Sequence, residues 1–253
     1  MAVSSTCARI IAIVPAAGAG ERAHCARVER RPGEFDSLDA VDPDSIPKQY
    51  RLLRGEPMLR WAVRALLADE RIAQVRVIAA AGDARIARAL AALPRTVWRF
   101  CGGRTRAATV LAALEDLAPE PDVWALVHDA ARPGLPADAL RRLVDVCLAR
   151  DRGGLLARRV ADTVKRQRSA GAFCDEVARS VARGGLWLAQ TPQVFPARAL
   201  LEALRAAAAD PRVTDEASAM ERAGYTPLLI PGSRRNFKVT WPEDFELMER
   251  WLG

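Results

Sequence analysis

Two glycines, an arginine and a lysine near the start of the chain carry its clearest chemical signal. In VPAAGAGER, Gly18 and Gly20 let the backbone close on a ligand and turn N–H groups toward an anion. Arg22 follows at once and Lys48 stands in IPKQY, so two fixed cations can face one polyphosphate. One cation–anion pair about 4 Å apart is worth roughly 4 kcal/mol at an effective dielectric near 20, and contacts that tighten as charge builds on a phosphoryl group can drive its transfer. Lysine is a marked choice here, because only three of the 38 Lys and Arg residues are lysines: Lys48, Lys165 and Lys238. In so arginine-rich a chain, a surviving lysine marks a site that needs a compact point charge rather than a planar fork.

A second group lies in VWALVHDAARP, where Asp129 and Arg132 fall at the carboxyl end of an apolar run. In open α/β sheets that edge binds ligands. Asp129 can hold a hydroxyl or, through water, a Mg²⁺ ion. His128 reads as a packed strand-end residue rather than a general base, since no acid or serine motif accompanies it. The first loop, as GxGxxA, also fits a dinucleotide fingerprint. That fold needs a helix directly after the loop and then a strand ending in an acid, and here the interval 23–47 is charged, proline-bearing and unpatterned. No GxxxxGK[ST] occurs, which excludes a Walker A loop.

The elements that must position these groups alternate. Short apolar runs (RIIAIV, VRVIAA, TVWRF, VWALVH, GLLARRV) are separated by PMLRWAVRALLAD, ARIARALAAL, RTRAATVLAALEDL and PADALRRLVDVCLA, whose apolar residues recur every three or four positions. The pattern predicts a single α/β domain over 1–253, an open, doubly wound, mostly parallel sheet. Two stretches break it: 23–47, a long loop insertion, and a polar excursion at 158–185 that reads as an arm. Beyond it come WLAQTPQVF, helical stretches between 197 and 223, strands TPLLIP and NFKVT, and a closing helix PEDFELMERWL.

The 253 residues are 50% hydrophobic, enough to fill one large core, and the net charge of +7 suits anionic partners. Nucleic acid is disfavoured: the arginines are scattered, aromatics are 6% and no zinc-finger or RNA-recognition signature appears. Five cysteines at irregular spacing, with no CxxC, point to reduced thiols and a cytoplasmic enzyme. No apolar run is long enough to span a membrane, and the N-terminal run Ile10 to Val14 is too short for a signal sequence, so it reads as a buried strand.

PAAGAGER, PKQY, GGRTRAATV, LVHDAARP, DTVKR, GLWLAQTPQVF, TDEASAMERAG and NFKVTWPEDF stand in the order seen in 2-C-methyl-D-erythritol 4-phosphate cytidylyltransferases, which the chain resembles over nearly its whole length. The resemblance implies a Rossmann-like nucleotidyltransferase fold, with the 158–185 arm exchanged between the subunits of a homodimer. It implies that CMP passes from CTP to methylerythritol phosphate, with Mg²⁺ or another divalent cation bound mainly through the CTP phosphates. Arg22 and Lys48 then correspond to the pair that stabilises the transition state at the α-phosphorus, and Arg183 and Lys238 to residues that grip the acceptor. Pro15, Ala16, Ala17, Gly18, Gly20, Gly103 and Thr109 match the nucleotide cradle, and Asp129, Ala130, Arg132, Thr163, Thr191 and Thr214 the substrate pocket. The chain departs from the family in the length of 23–47 and in Thr109, where serine is usual.

This chemistry needs no nucleophilic side chain. A phosphate monoester, with its second pKa about 6, is already largely ionised at neutral pH. What remains is to gather two anions, neutralise them and hold them in line. Two alternatives stay open on sequence: a cytidylyltransferase for another polyol phosphate such as ribitol 5-phosphate, and a catalytically silent nucleotide-binding module.

Overall fold

A computed structural model of the chain describes residues 8–18, 46–168 and 176–253. The first strand, β1 (Arg9–Pro15), is followed across the undescribed interval by a 3-10 turn at Lys48–Tyr50, a small ladder of β2 (Leu52–Leu53) and β3 (Glu56–Pro57), and α1 (Met58–Leu67). Then come β4 (Ile72–Ile78), α2 (Ile86–Ala89), β5 (Thr96–Arg99), α3 (Arg106–Leu117), β6 (Val123–Val127), α4 (Ala137–Ala149) and β7 (Gly154–Arg159). The chain continues through β8 (Val164–Gln167), β9 (Val177–Val181), β10 (Trp187–Pro196), α5 (Ala197–Ala206), α6 (Glu216–Arg222) and β11 (Leu228–Pro231), and closes with a 3-10 turn at Arg234–Asn236 and α7 (Pro242–Trp251).

Seven strands form the main sheet in the order β11-β7-β10-β6-β1-β4-β5. Neighbours pair in parallel except β10, which runs against both β6 and β7. The central position of β1 explains its composition: Ile10 to Val14 are buried on both faces, so apolar residues run without alternation. α1 and α4 cover one face, where Leu59, Val63 and Leu66 meet Leu140, Leu143 and Val144. α3, α5 and α6 cover the other, around Val110, Leu114, Phe195, Leu200 and Met220. The sheet is thus doubly wound, as its alternating pattern predicts. A third cluster, Leu53, Met58, Val239, Phe245 and Met248, packs α7 against the first helix and the β2–β3 ladder.

Two predicted elements differ. ARIARALAAL, expected as a full helix, is helical only over Ile86–Ala89; Ala92 and Arg95 take positive φ, and Pro94 between them denies a helical N–H. NFKVT, expected as a strand, joins no ladder. Its backbone is claimed by loops and side chains: Val239 N–H donates to the Ala131 carbonyl (2.8 Å), and the Asn236 carbonyl accepts from Arg132 Nη1 (2.8 Å) and Gln190 Nε2 (3.2 Å). This segment crosses the carboxyl edge of the sheet, where the site lies.

Within 158–185, β8 and β9 form an antiparallel hairpin beyond the β7–β10 ladder, with Lys165 Nζ donating to Ser180 Oγ (2.7 Å). Most hairpin side chains are exposed. Gly20, Arg22 and all but the last two residues of 23–47 lie outside the described residues, as do 169–175.

Candidate active site

Where β1 ends, the chain turns under a cavity of about 430 Å³. Ala16 N–H donates to the Ile78 carbonyl (2.8 Å), and the Ala16 carbonyl accepts from Gln49 Nε2 (2.8 Å), which ties the PKQY segment to the glycine loop. Opposite, Gly102 passes so close to Ala17 that an added Cβ would stand 2.3 Å from the alanine methyl and 2.7 Å from the Ala79 carbonyl, so only glycine fits. Gly103 N–H donates to Thr109 Oγ1 (3.1 Å), and that hydroxyl donates to the Thr105 carbonyl (2.9 Å). Thr105 caps α3 by accepting from Ala108 N–H. Thr109 therefore fixes the shape of the Gly103 turn.

Charge gathers on the far wall. Asp129, 7% exposed at the end of β6, receives Arg106 Nε on Oδ1 (2.8 Å) and Lys238 Nζ on Oδ2 (3.1 Å), with Arg132 Nε 3.5 Å from Oδ2. Burial alone would raise its pKa, but Arg106, Lys238 and Arg132 together hold the carboxyl far below the usual carboxylate range. Arg106 is itself gripped by Glu216, with Nη1 and Nη2 at 2.7 and 3.0 Å from the two carboxylate oxygens. Lys48 reaches the same cavity with Nζ donating to the Val239 carbonyl (2.8 Å).

Behind Asp129 runs a directed chain of hydrogen bonds. The Asp129 N–H donates to Thr191 Oγ1 (3.0 Å), which lies 3.1 Å from His128 Nδ1, while His128 Nε2 is 3.0 Å from the Arg132 carbonyl. A carbonyl only accepts, so Nε2 carries the proton and Nδ1 accepts from the threonine hydroxyl. The imidazole is fully buried, and burial lowers its pKa to about 4. His128 is neutral and positions the strand end, as the sequence suggests. Because the folded value lies below the ordinary 6.5, the unfolded chain binds the extra proton first. Stability from this residue is complete above pH 6.5 and is lost as pH falls toward 4, by about 3 kcal/mol. Urea midpoints across that window should fall for the wild type, and His128→Gln should flatten the slope; parallel curves would refute the assignment.

The cavity is lined by Pro15, Ala16, Ala17, Gly18, Lys48, Gly103, Thr109, Asp129, Ala130 and Lys238, all singled out by sequence. Arg132 and Thr191 stand behind it, supporting Asp129. Three other predicted site residues, Arg183 of the acceptor-gripping pair and Thr163 and Thr214 of the substrate pocket, are elsewhere in this chain. Thr163 and Arg183 are exposed in the arm, where Arg183 donates to the Ala161 carbonyl, and Thr214 lines a neighbouring groove that shares only Thr105 and Arg106 with the cavity. Sequence reading missed Arg106, Glu216, Gln49 and Asn236. For Arg106 and Glu216 the one available signal was charge among mostly small residues in GGRTRAATV and TDEASAM, a signal that Arg104 and Asp215 carry equally.

Among the described residues no group of three or more His, Cys, Asp or Glu side chains could hold a metal ion. Asp129, expected to meet Mg²⁺ through water, has both oxygens engaged by cations. A single carboxylate so engaged does not by itself cage Mg²⁺, which takes an octahedron of oxygens.

A sequence profile described as IspD, 2-C-methyl-D-erythritol 4-phosphate cytidylyltransferase, matches residues 43–253. The chain is 61% identical over 244 residues to the 2-C-methyl-D-erythritol 4-phosphate cytidylyltransferase of Bordetella petrii, covering 96% of this chain and 98% of that protein. It is 44% identical to the enzyme of the same name from Ralstonia nicotianae, covering 97% and 92%. A crystal structure of 4-diphosphocytidyl-2C-methyl-D-erythritol synthase superposes with a TM-score of 0.77 at 33% identity, over 97% of this chain and 98% of the other. The Francisella tularensis 2-C-methyl-D-erythritol 4-phosphate cytidylyltransferase gives 0.74 at 28% identity, over 96% and 99%.

Proposed function

The chain belongs to the 2-C-methyl-D-erythritol 4-phosphate cytidylyltransferase family, and from that premise we propose how its residues divide the work. The enzyme transfers CMP from CTP to 2-C-methyl-D-erythritol 4-phosphate, giving 4-diphosphocytidyl-2-C-methyl-D-erythritol and pyrophosphate. Ribitol 5-phosphate is not favoured as acceptor, since the relatives described above carry the methylerythritol name.

CTP lies along the Pro15–Gly18 backbone and the Gly103 turn, with its phosphates toward Lys48. The acceptor phosphate lies toward Lys238, with a hydroxyl of the acceptor on Asp129. An oxygen of that phosphate attacks the α-phosphorus, the bond to the bridging oxygen of the β-phosphate breaks, and pyrophosphate leaves with the electron pair. No proton moves, because the attacking oxygen is already ionised. Lys48 neutralises the charge that spreads over the α-phosphoryl oxygens and the leaving group, with Arg22, outside the described residues, as its partner. Mg²⁺ held mainly through the CTP phosphates would supply further charge neutralisation there.

The observation that carries this reading is one cavity lined jointly by the glycine-loop backbone, two of the three lysines and Asp129. A coupled pyrophosphate-release assay tests it by comparing CTP with UTP and ATP, and methylerythritol phosphate with ribitol 5-phosphate. Turnover should require CTP and the methylerythritol substrate; equal turnover with ribitol phosphate would overturn the acceptor assignment.

The positions of Thr163 and Arg183, exposed and away from the cavity of their own chain, support a homodimer whose arms each complete the partner's site. Mixing Lys48→Ala with Arg183→Ala chains should then recover about a quarter of wild-type activity, since half the assemblies are mixed and each holds one intact site. No recovery, with mixed dimers shown to form, would refute arm exchange. No described helix is long and apolar enough to cross a membrane, and we place the enzyme in the cytoplasm with its metabolite substrates.

A further inference from the structure

Glu216 occupies an unusual place for an acid. It is 1% exposed on the first turn of α6, beside a cavity that must receive two polyanions, and it contributes nothing to the cavity wall. A buried negative charge near an anion site lowers the attraction for substrate unless it performs another task. Its contacts show the task. Both carboxylate oxygens are spent on the Arg106 fork, and the remaining nitrogen of that fork, Nε, is aimed at Asp129 Oδ1 at 2.8 Å.

Glu216 is held firmly in turn. Asp215 caps α6 by accepting from Ser218 N–H while Ser218 Oγ accepts from Asp215 N–H, and Gln193 on β10 accepts from Ala217 N–H (2.7 Å) and donates to Asp215 Oδ2 (2.8 Å). The helix start is thereby fastened to the sheet, and the acid points one way.

We propose that Glu216 is a positioning residue for cytidylyl transfer: through Arg106 it locks one oxygen of Asp129, so that the other faces Lys238 and the acceptor. The inference rests on the functional reading above. Arg106 lines the cavity wall, and with Glu216 in place its guanidinium stays on the two acids instead of pairing with substrate phosphate, which keeps Asp129 turned toward Lys238. Arginine is required because three nitrogens must serve two acids at once, which a lysine ammonium cannot do in this geometry.

A role in charge alone and a role in positioning predict opposite kinetics. Glu216→Gln keeps the shape and removes a negative charge, so charge alone would lower the KM of both anionic substrates and leave kcat unchanged. Positioning predicts that kcat per folded enzyme falls on the order of 10²-fold, with each KM within about threefold of wild type, because a misplacement near 1 Å has that cost. Arg106→Lys, which retains charge and loses the fork, should reproduce the fall, and the double variant should be no worse than either single one. Folded fractions are taken from thermal melts, and the lysine variant carries the test should the glutamine variant fold poorly. Wild-type kcat in either folded variant, or losses that multiply in the double, would overturn the proposal. A wild-type enzyme that releases no pyrophosphate from CTP and methylerythritol phosphate would overturn the functional reading and this one together.

Discussion

Lys48→Ala is expected to lower kcat/KM by 10²- to 10³-fold, a loss of about 3–4 kcal/mol in transition-state stabilisation. The ammonium is one point charge held over the cavity by the Val239 carbonyl at 2.8 Å, while its neighbour Gln49 is buried and bonded to Ala16. A tether at that distance fixes where the charge stands before CTP arrives, so none of its effect is spent on ordering. Lys48→Arg should restore little, since the guanidinium is planar and longer and cannot both meet that carbonyl and present a compact charge. Initial rates of pyrophosphate release at CTP concentrations well below KM are the measurement. Activity within threefold of wild type in the alanine variant would show that the lysine plays no part in the chemistry.

The second large effect falls on stability. Arg106→Leu should cost about 3–5 kcal/mol at neutral pH, because it strands two buried carboxylates, Glu216 at 1% and Asp129 at 7% exposure, that share its fork. The sign of the pH dependence provides a second check. In the wild type, burial raises the Asp129 pKa but its three cations outweigh that, and the contribution of this carboxylate is lost only in strong acid. Removing Arg106, the foremost of those cations, leaves burial less opposed, so the folded variant takes up protons more readily than the wild type does. Its deficit should therefore narrow as pH falls. Urea unfolding at neutral and mildly acidic pH measures this; a deficit under 1 kcal/mol, or one that widens in acid, would show that the fork does not hold these charges.

How much of this was legible depended on whether the physics was local. RIIAIV reads as a strand because a strand buried on both faces needs an unbroken apolar run, and VPAAGAGER reads as an anion loop because glycine permits close approach. Such signals sit within a few residues of each other. NFKVT has the composition of a strand, yet it joins no ladder, and much of its backbone bonds to Ala131, Arg132, Gln190 and Lys48, which are remote in sequence. The Arg106–Glu216 pair joins residues 110 apart, and no periodicity links them. For Thr163 and Arg183 the expectation rests on motif resemblance alone, and no local pattern foretells their exposed places on the arm, away from the cavity of their own chain.

The perch of Lys48 on Val239 has an outcome during biosynthesis, for these residues are separated by 191 positions. Val239 belongs to the cluster that α7 completes, so the lysine finds its resting place only when the last helix has emerged and docked. A nascent chain, however well its first strands have formed, has no finished apparatus with which to spend CTP.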